Sequence, residues 1–399
     1  MSFDGSSHSK HARREANSDE DHDNLPSRLP GFANAVYYPN WRAHNQPPSS
    51  LMLPFVSHVI YAFAWYIPRL LSLGSGFELA IFFTNCPFLS DEDVDVQLTV
   101  DGADGCIRAF GHARKQYPGM KLLLSIGGGS EMGSGHFATV AGDSHATQKF
   151  VDTAKDLVDK YDLDGLDVNW EHPSNSKEGE DFVHLLSKLR GVLPDPQYIL
   201  CSALPAGEWA LKHINLHKAQ EYLDLINVMT YDFAGPWTDH SGHQCQLFTP
   251  PQPHNDAARL SCHSAIMYML AKGVPSRKLL LGIPVYGRAF PGTFQIGQQC
   301  YQSQSADQVE APAAEFDYAD LPRPGAIEEH DETVGAAFCI DSRIGGAGFV
   351  TYDNPATVKQ KAKFARAMDL GGLFYWHIAA DAKGARSLIL SGYKALHDL

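Results

Sequence analysis

Little in this 399-residue sequence is basic: 32 lysines and arginines stand against 46 aspartates and glutamates, a formal net charge of -14 at pH 7. A groove for the phosphate backbone carries the opposite field, so no nucleic-acid partner is expected, whereas a neutral polymer is compatible. Long apolar runs are also missing. The richest candidate, Tyr66 to Phe88 (YIPRLLSLGSGFELAIFFTNCPF), is interrupted by Arg69, Gly74, Gly76 and Glu78. It falls short of the roughly 20 predominantly apolar residues of a spanning helix, and no membrane partner is expected. Residues 1–30 contain Arg13-Arg14 and Asp19-Glu20-Asp21-His22-Asp23 but almost nothing apolar. They read as a disordered polar tail without the apolar region of a secretory signal. The expected location is the cytoplasm, or outside the cell without a recognisable signal peptide; conventional secretion would need a different amino terminus. Cysteines number seven, an odd count with no closely spaced metal-type pair, which fits reduced buried thiols better than a disulfide framework. His240-x-x-His243 lacks a third ligand, and Gly127-Gly128-Gly129 lacks the Lys-Ser/Thr of a phosphate loop. No metal and no cofactor are expected.

What is plentiful is apolar residues, 44% of the chain, arranged in a repeating order. Strand-like runs fall at Asn34 to Tyr38, His58 to Ala64, Lys121 to Gly127, Gly165 to Glu171, Tyr198 to Leu204, Leu225 to Tyr231, Leu279 to Val285 and Gly372 to Ile378. Amphipathic stretches such as Ala146 to Tyr161, Gly179 to Leu189, Asp256 to Lys272 and Pro355 to Leu370 lie between them. Eight strand–helix repeats predict an α/β fold, a (β/α)8 TIM barrel with its chemistry at the carboxyl ends of the strands. The barrel is expected over 31–290 and 351–399. The rhythm breaks over 291–350, rich in Gly, Gln, Pro and acidic residues, where an insertion is expected. Tyr66 to Phe88 fits the rhythm poorly and has three readings: a lid over the cleft, a packed loop, or a gene-model error such as a translated intron. The last is favoured, because a loop this apolar has no evident partner face. A monomer is expected.

The most informative run is Leu163-Asp164-Gly165-Leu166-Asp167-Val168-Asn169-Trp170-Glu171. Residues two apart share a strand face, so Asp167, Asn169 and Glu171 line one side and Val168 and Trp170 the other. Crowding buried carboxyl and amide groups raises the pKa of the least solvated acid, and a Glu171 protonated near neutrality is a competent general acid.

This run resembles the active-site strand of glycoside hydrolase family 18, the chitinases and their relatives, whose signature reads D-G-x-D-x-D-x-E, with Asn169 at the third acidic position. Ser125-Ile126-Gly127-Gly128 resembles the strand-three S-x-G-G motif, and Met229-Thr230-Tyr231-Asp232 the strand-six M-x-Y-D motif. Tyr286-Gly287-Arg288 and Phe374-Tyr375-Trp376 resemble the rims of strands seven and eight. The resemblance covers roughly 31 to 399 and implies that the insertion is a small α+β domain before strand eight, walling one side of the cleft. No Ser/Thr-rich linker or cysteine-rich binding module accompanies it.

The resemblance implies retaining hydrolysis of β-1,4-linked N-acetylglucosamine polymers or oligomers, by an endo-type chitinase in which the substrate's 2-acetamido group attacks the anomeric carbon. Glu171 is then the acid and later the base, Tyr231 the donor to the acetamido carbonyl, and Asp232 the group that orients the sugar or Glu171. Asp167 and Asp164 tune the charge, and Asp164 also stands among the substrate-binding residues; because it lies off the two-residue phase, a second reading is that it only fixes the entry of the strand. Trp376 is implied as the floor under the reacting sugar and Trp237 as a platform on the leaving-group side. Tyr37, Phe63, Tyr286 and Arg288 are further cleft residues. An amide at Asn169 can accept from the acetamido N–H but brings no negative charge to the cationic intermediate, a loss of about 3 kcal/mol, on the order of a hundredfold in rate. Gly129 stands where a tryptophan often follows the S-x-G-G motif, which weakens the leaving-group side. The alternatives are a catalytically impaired chitin-oligosaccharide lectin and an endo-β-N-acetylglucosaminidase acting on N-glycans.

Overall fold

The computed structural model describes residues 31–69, 78–83, 105–129, 136–300 and 314–399. The tail of residues 1–30 lies outside the described residues.

Eight parallel strands close into a ring: β1 (Ala33–Pro39), β2 (His58–Arg69), β4 (Lys121–Gly127), β5 (Gly165–Asn169), β6 (Ile199–Pro205), β7 (Leu225–Met229), β8 (Leu279–Pro284) and β14 (Gly372–Trp376). The ring closes where β1 pairs with both β14 and β2. Alternation along each strand divides the side chains into two sets. Val36, Tyr38, Leu122, Leu124, Leu166, Val168, Leu281 and Tyr375 pack outward into the core that also takes the helices. Ala35, Tyr37, Leu123, Cys201, Leu280 and Phe374 pack together inside the barrel. Burial on both faces explains why these segments read as apolar runs. The helices are amphipathic to match. In Ser144–Lys160, Thr147, Phe150, Val151, Ala154, Leu157 and Val158 are buried at helical spacing, and Asp143 caps the start by accepting from the Ala146 N–H at 2.7 Å.

The Tyr66 to Phe88 segment is not a loop where it is described. Strand β2 runs on to Arg69, and β3 (Glu78–Phe83) returns antiparallel to it, from Arg69↔Glu78 to Ala64↔Phe83. A hairpin ladder satisfies this backbone and replaces the packed-loop reading; residues 70–77 and 84–88 lie outside the described residues.

A second, five-stranded antiparallel sheet is ordered β10-β9-β13-β12-β11. Its strands are β9 (Tyr286–Phe290), β10 (Glu315–Asp317), β11 (Glu328–Asp331), β12 (Ala336–Asp341) and β13 (Gly348–Tyr352). One residue, Val285, separates β8 from β9. The second sheet therefore starts directly at the barrel mouth, and Tyr286 and Arg288 belong to it and not to a barrel strand.

Among the described residues, no helix is long and apolar enough to cross a membrane. The cysteines at 106, 201, 245, 262, 300 and 339 are free thiols, all but Cys300 buried.

Candidate active site

The carboxyl ends of the strands surround a cleft of about 320 Å³. Tyr37, Phe63, Asn169, Glu171, Tyr231, Asp232, Tyr286, Arg288 and Trp376 all line it, although they come from six strands spread over some 340 residues. Gly127 and Gly128 keep the rim close. Both have positive φ, 115° and 101°, and a β-carbon on Gly127 would lie 2.2 Å from the Asn169 carbonyl oxygen.

Strand β5 carries the acidic series. Val168 and Trp170 point into the outer core, where Trp170 stacks on Phe137 at 5.5 Å, which turns Asp167, Asn169 and Glu171 the other way. Asp167 lies beneath the cleft, fully buried. Its Oδ2 accepts from the Tyr37 hydroxyl at 2.9 Å and the Ser125 hydroxyl at 2.6 Å, and Asn227 donates to Tyr37 at 2.9 Å. Burial pushes the Asp167 carboxyl up to about 6 against those two hydrogen bonds. Asp167 does not line the cleft. It acts on Glu171 by charge, one step removed from a ligand.

Glu171 is pushed up to about 7, first by burial and then by the negative charges of Asp232 and Asp167; a hydrogen bond from Asn169 pulls the other way. The side-chain oxygen of Asn169 is buried with no protein partner. One amide thus holds the acid with its nitrogen and leaves an acceptor unsatisfied at the cleft. Tyr231 is half-buried, its ring edge-on to Tyr286 and Phe374, and no hydrogen bond from its hydroxyl is made within the described residues. Burial, followed by the charges of Glu171, Asp232 and Asp167, holds that hydroxyl well above the usual phenol range, so it is a donor throughout the working pH range.

Asp232 takes a left-handed backbone conformation, φ 60°, tolerated by aspartate. Arg288 grips it at two points, Nε to Oδ1 at 2.9 Å and Nη2 to Oδ2 at 3.0 Å, while the Tyr286 hydroxyl donates to Oδ1 at 2.7 Å. Arg288 also reaches Glu315 of the neighbouring β10 at 2.6 Å, a link within the second sheet, so it is through its grip on Asp232 that Arg288 ties that sheet to the barrel mouth. Phe63 stacks on Trp376 at 5.6 Å and on Trp41 at 6.1 Å, a continuous aromatic floor.

One expected ligand contact is corrected. Asp164 is at the opposite end of the barrel, ahead of β5, where its carboxylate accepts from Arg114 at 2.8 Å, Lys121 at 3.0 Å and the Leu122 N–H at 2.9 Å. It fixes the entry of the strand and cannot touch a ligand in the cleft. Trp237 is half exposed and packs over the guanidinium of the cleft-lining Arg288 at 5.1 Å, at the edge of the cleft.

Sequence reading missed Trp41, His172, Trp209 and Glu315, and it missed Asn227 beneath the floor; Ser125 was named only for its motif, without its hydrogen bond to Asp167. Trp41 and Trp209 each follow a barrel strand by a few residues, and that position was the signal available.

Residues 33–381 match the family model described as glycosyl hydrolases family 18. The chain is 30% identical over 382 residues to Chitinase 1 of Aphanocladium album, covering 93% of this chain and 87% of that one. Among solved structures it resembles chitinase ChiA74 from Bacillus thuringiensis, with TM-score 0.77 and 22% identity over 92% of this chain and 70% of that one. It also resembles human YKL-39, described as a pseudo-chitinase with retained chitooligosaccharide binding properties, with TM-score 0.75 and 22% identity over 92% and 100% of the two chains. At these identities the two structures speak to the fold alone.

Proposed function

This chain belongs to the glycosyl hydrolases of family 18, and we propose that it cleaves β-1,4 bonds between N-acetylglucosamine units with retention, using the substrate's own acetamido group as nucleophile. The observation that carries this reading is the pairing of a carboxyl pushed up to about 7 with an unsatisfied amide oxygen and a phenol donor around one cleft. A carboxyl held near 7 is protonated often enough to act as an acid and returns as a base.

The sugar to be cleaved would rest on Trp376, its apolar face against the indole. Glu171 donates its proton to the glycosidic oxygen as the C1–O bond breaks, and the acetamido oxygen forms a bond to C1, giving a cyclic oxazolinium. Tyr231 holds the acetamido carbonyl by donating to it, and Asn169 Oδ1 accepts from the acetamido N–H. Glutamate, now ionised, takes a proton from water as that water attacks C1 and reopens the ring, which restores Glu171 and releases a sugar of the original configuration. With Asn169 uncharged the cation is less stabilised, so slow turnover is the expected behaviour. The names of the relatives support a chitin-type substrate.

The test is hydrolysis of a chromogenic chitotrioside by the unmodified protein and by Glu171→Gln. We expect turnover in the first, none in the second, and chitooligosaccharide binding in both, because glutamine keeps the shape and lacks the acid proton. Binding without turnover in the unmodified protein would assign it instead to the oligosaccharide lectins. Equal turnover in the two would remove Glu171 from the mechanism.

A further inference from the structure

The left-handed backbone at Asp232 persists only where its surroundings fix it, yet the residue sits near the start of a long loop that leaves β7. Its carboxylate is held by Arg288 and by the Tyr286 hydroxyl, both from β9 of the second sheet. Holders and held thus belong to separate parts of the fold. Their alignment needs a link between the loop and the sheet behind the cleft.

Gln244, further along the same loop, makes that link. It is completely buried and does not line the cleft. Its carbonyl oxygen accepts from the N–H of Phe233, the residue after Asp232, at 2.9 Å. Its side-chain Nε2 donates to the Tyr286 carbonyl at 2.9 Å and to the Thr351 carbonyl at 3.3 Å. Thr351 stands opposite Arg288 in the β13–β9 ladder. One residue is therefore bonded to the backbone beside Asp232, to the tyrosine whose hydroxyl holds Asp232, and to the register partner of the arginine that grips it. The amide can sit only one way round, because a reversed Oε1 would face two carbonyls. In this orientation Oε1 is buried with no protein partner, a cost that the two donated bonds offset. An apolar side chain of similar size would bury no such acceptor, so packing alone does not call for an amide here.

We propose that Gln244 is a positioning residue for the reaction, bracing Asp232 against Tyr286 and Arg288 so that its carboxylate stays fixed in the cleft with Glu171. The inference rests on the hydrolase reading. Glu171 is faced by Asp167 and Asn169 of β5 and by Tyr231 and Asp232 beyond β7, with Arg288 and Glu315 of the second sheet behind Asp232. The neighbouring His172 is lowered to about 4 by burial and is neutral at working pH. After burial, it is the charge of Asp232 that does most to raise the Glu171 pKa. A carboxylate released from its holders turns to solvent and is screened there, so loosening the brace should let the Glu171 pKa fall.

The experiment compares the unmodified protein with Gln244→Met, which keeps the length of the side chain without its donor, and with Gln244→Asn, which keeps the amide but is too short for both carbonyls. In each, the alkaline limb of kcat/KM on a chitotrioside should move down by about half a pH unit or more, with kcat reduced about tenfold and KM within about threefold. The same limb is read in Asp232→Asn, where the charge is already gone, and adding Gln244→Met there should move it no further. A folded Gln244→Met whose limb stays in place, or an equal shift in the Asp232→Asn background, would overturn the brace, even with a lowered melting temperature.

Two further readings need no turnover. The Glu171 carboxyl resonance, identified by its absence from Glu171→Gln, should titrate at lower pH in the Gln244 variants by the same amount as the limb. In the unmodified protein, the Gln244 side-chain amide protons should exchange with solvent at least about a hundredfold more slowly than those of an exposed glutamine. Fast exchange would overturn the proposal without any variant having to fold. Failure to hydrolyse the chitotrioside therefore counts against the hydrolase reading alone, and an unmoved Glu171 resonance against the brace alone.

Discussion

Glu171 sets one carboxylate oxygen against the bare backbone of Gly129: a β-carbon there would lie 2.9 Å from Glu171 Oε2. A β-carbon there would press on the end of the Glu171 side chain, which must shift to make room. Gly129→Ala should therefore displace the carboxylate and lower kcat on a chitotrioside by about 10- to 100-fold, with a smaller change in KM, because misplacement of a proton donor by a fraction of an ångström acts on the transition state. Steady-state kinetics beside a melting curve would check this. Full activity in a normally folded variant would show that Glu171 has a second productive position.

Asp167 at about 6 and Glu171 at about 7 are held above the ordinary carboxyl range, burial being the first cause for each. As Glu171 must be protonated to donate, kcat/KM is expected to fall as pH rises through about 7. Stability should move the same way. A carboxyl whose folded pKa is raised favours folding most below its unfolded pKa, and that contribution is lost as pH rises through the folded value. The melting temperature should thus drop between about pH 5 and 8, and less so in Glu171→Gln, which has no charge to bury. An identical pH dependence in both proteins would refute the assignment of the burden to Glu171.

Asp164 behaves in the opposite sense. Burial works against its charge, but the Leu122 N–H, Arg114 and Lys121 outweigh it and hold the carboxyl below the usual range. Its contribution is present above the unfolded pKa and lost as pH falls through the folded one. Asp164→Asn is expected to cost about 1–3 kcal/mol at neutral pH and to leave KM unchanged, the mark of a residue remote from the cleft. Denaturant unfolding and substrate kinetics on one preparation decide it; a raised KM with normal stability would return Asp164 to the binding residues.

The difference between these residues bears on what could be read from the sequence. The barrel was legible because strands buried on both faces, such as Leu122-Leu123-Leu124, leave runs that no surface strand would carry. That Glu171, Tyr231 and Trp376 line one cleft was legible from motifs that fall at strand ends, where this architecture carries its chemistry. Asp164 was legible only by its phase, which set it off the acidic face; its partners Arg114 and Lys121 come from elements earlier in the chain, and the closing of the barrel alone puts them beside it. Trp209 and His172 carry no periodicity; their meeting depends on two loops converging above the ring. The segment after Ala64 misled for a different reason: its apolar residues belong to a hairpin that continues β2 beyond the barrel, an extension the repeat of strand and helix does not predict.

Asn169 offers the sharpest discrimination. Its amide donates to Glu171 while its oxygen stays buried without a partner. Asn169→Asp would remove that donor and add a negative charge beside the acid, and both changes raise the Glu171 pKa, so the alkaline limb of the rate profile should move to higher pH. The same charge stabilises the oxazolinium cation and does little for the neutral ground state, so kcat on a chitotrioside should rise by roughly ten- to a thousandfold with KM little changed. A protein whose cleft had lost turnover for other reasons, such as the missing side chain at Gly129, would not regain it from this one exchange. The measurement is a side-by-side kinetic comparison across pH. Activity in the unmodified protein with no gain in Asn169→Asp would mean that the amide is adapted to catalysis as it stands, with the Asn169–Glu171 hydrogen bond outweighing the missing charge. Binding without activity in either protein would leave the cleft as a sugar-binding site that keeps its acid without using it.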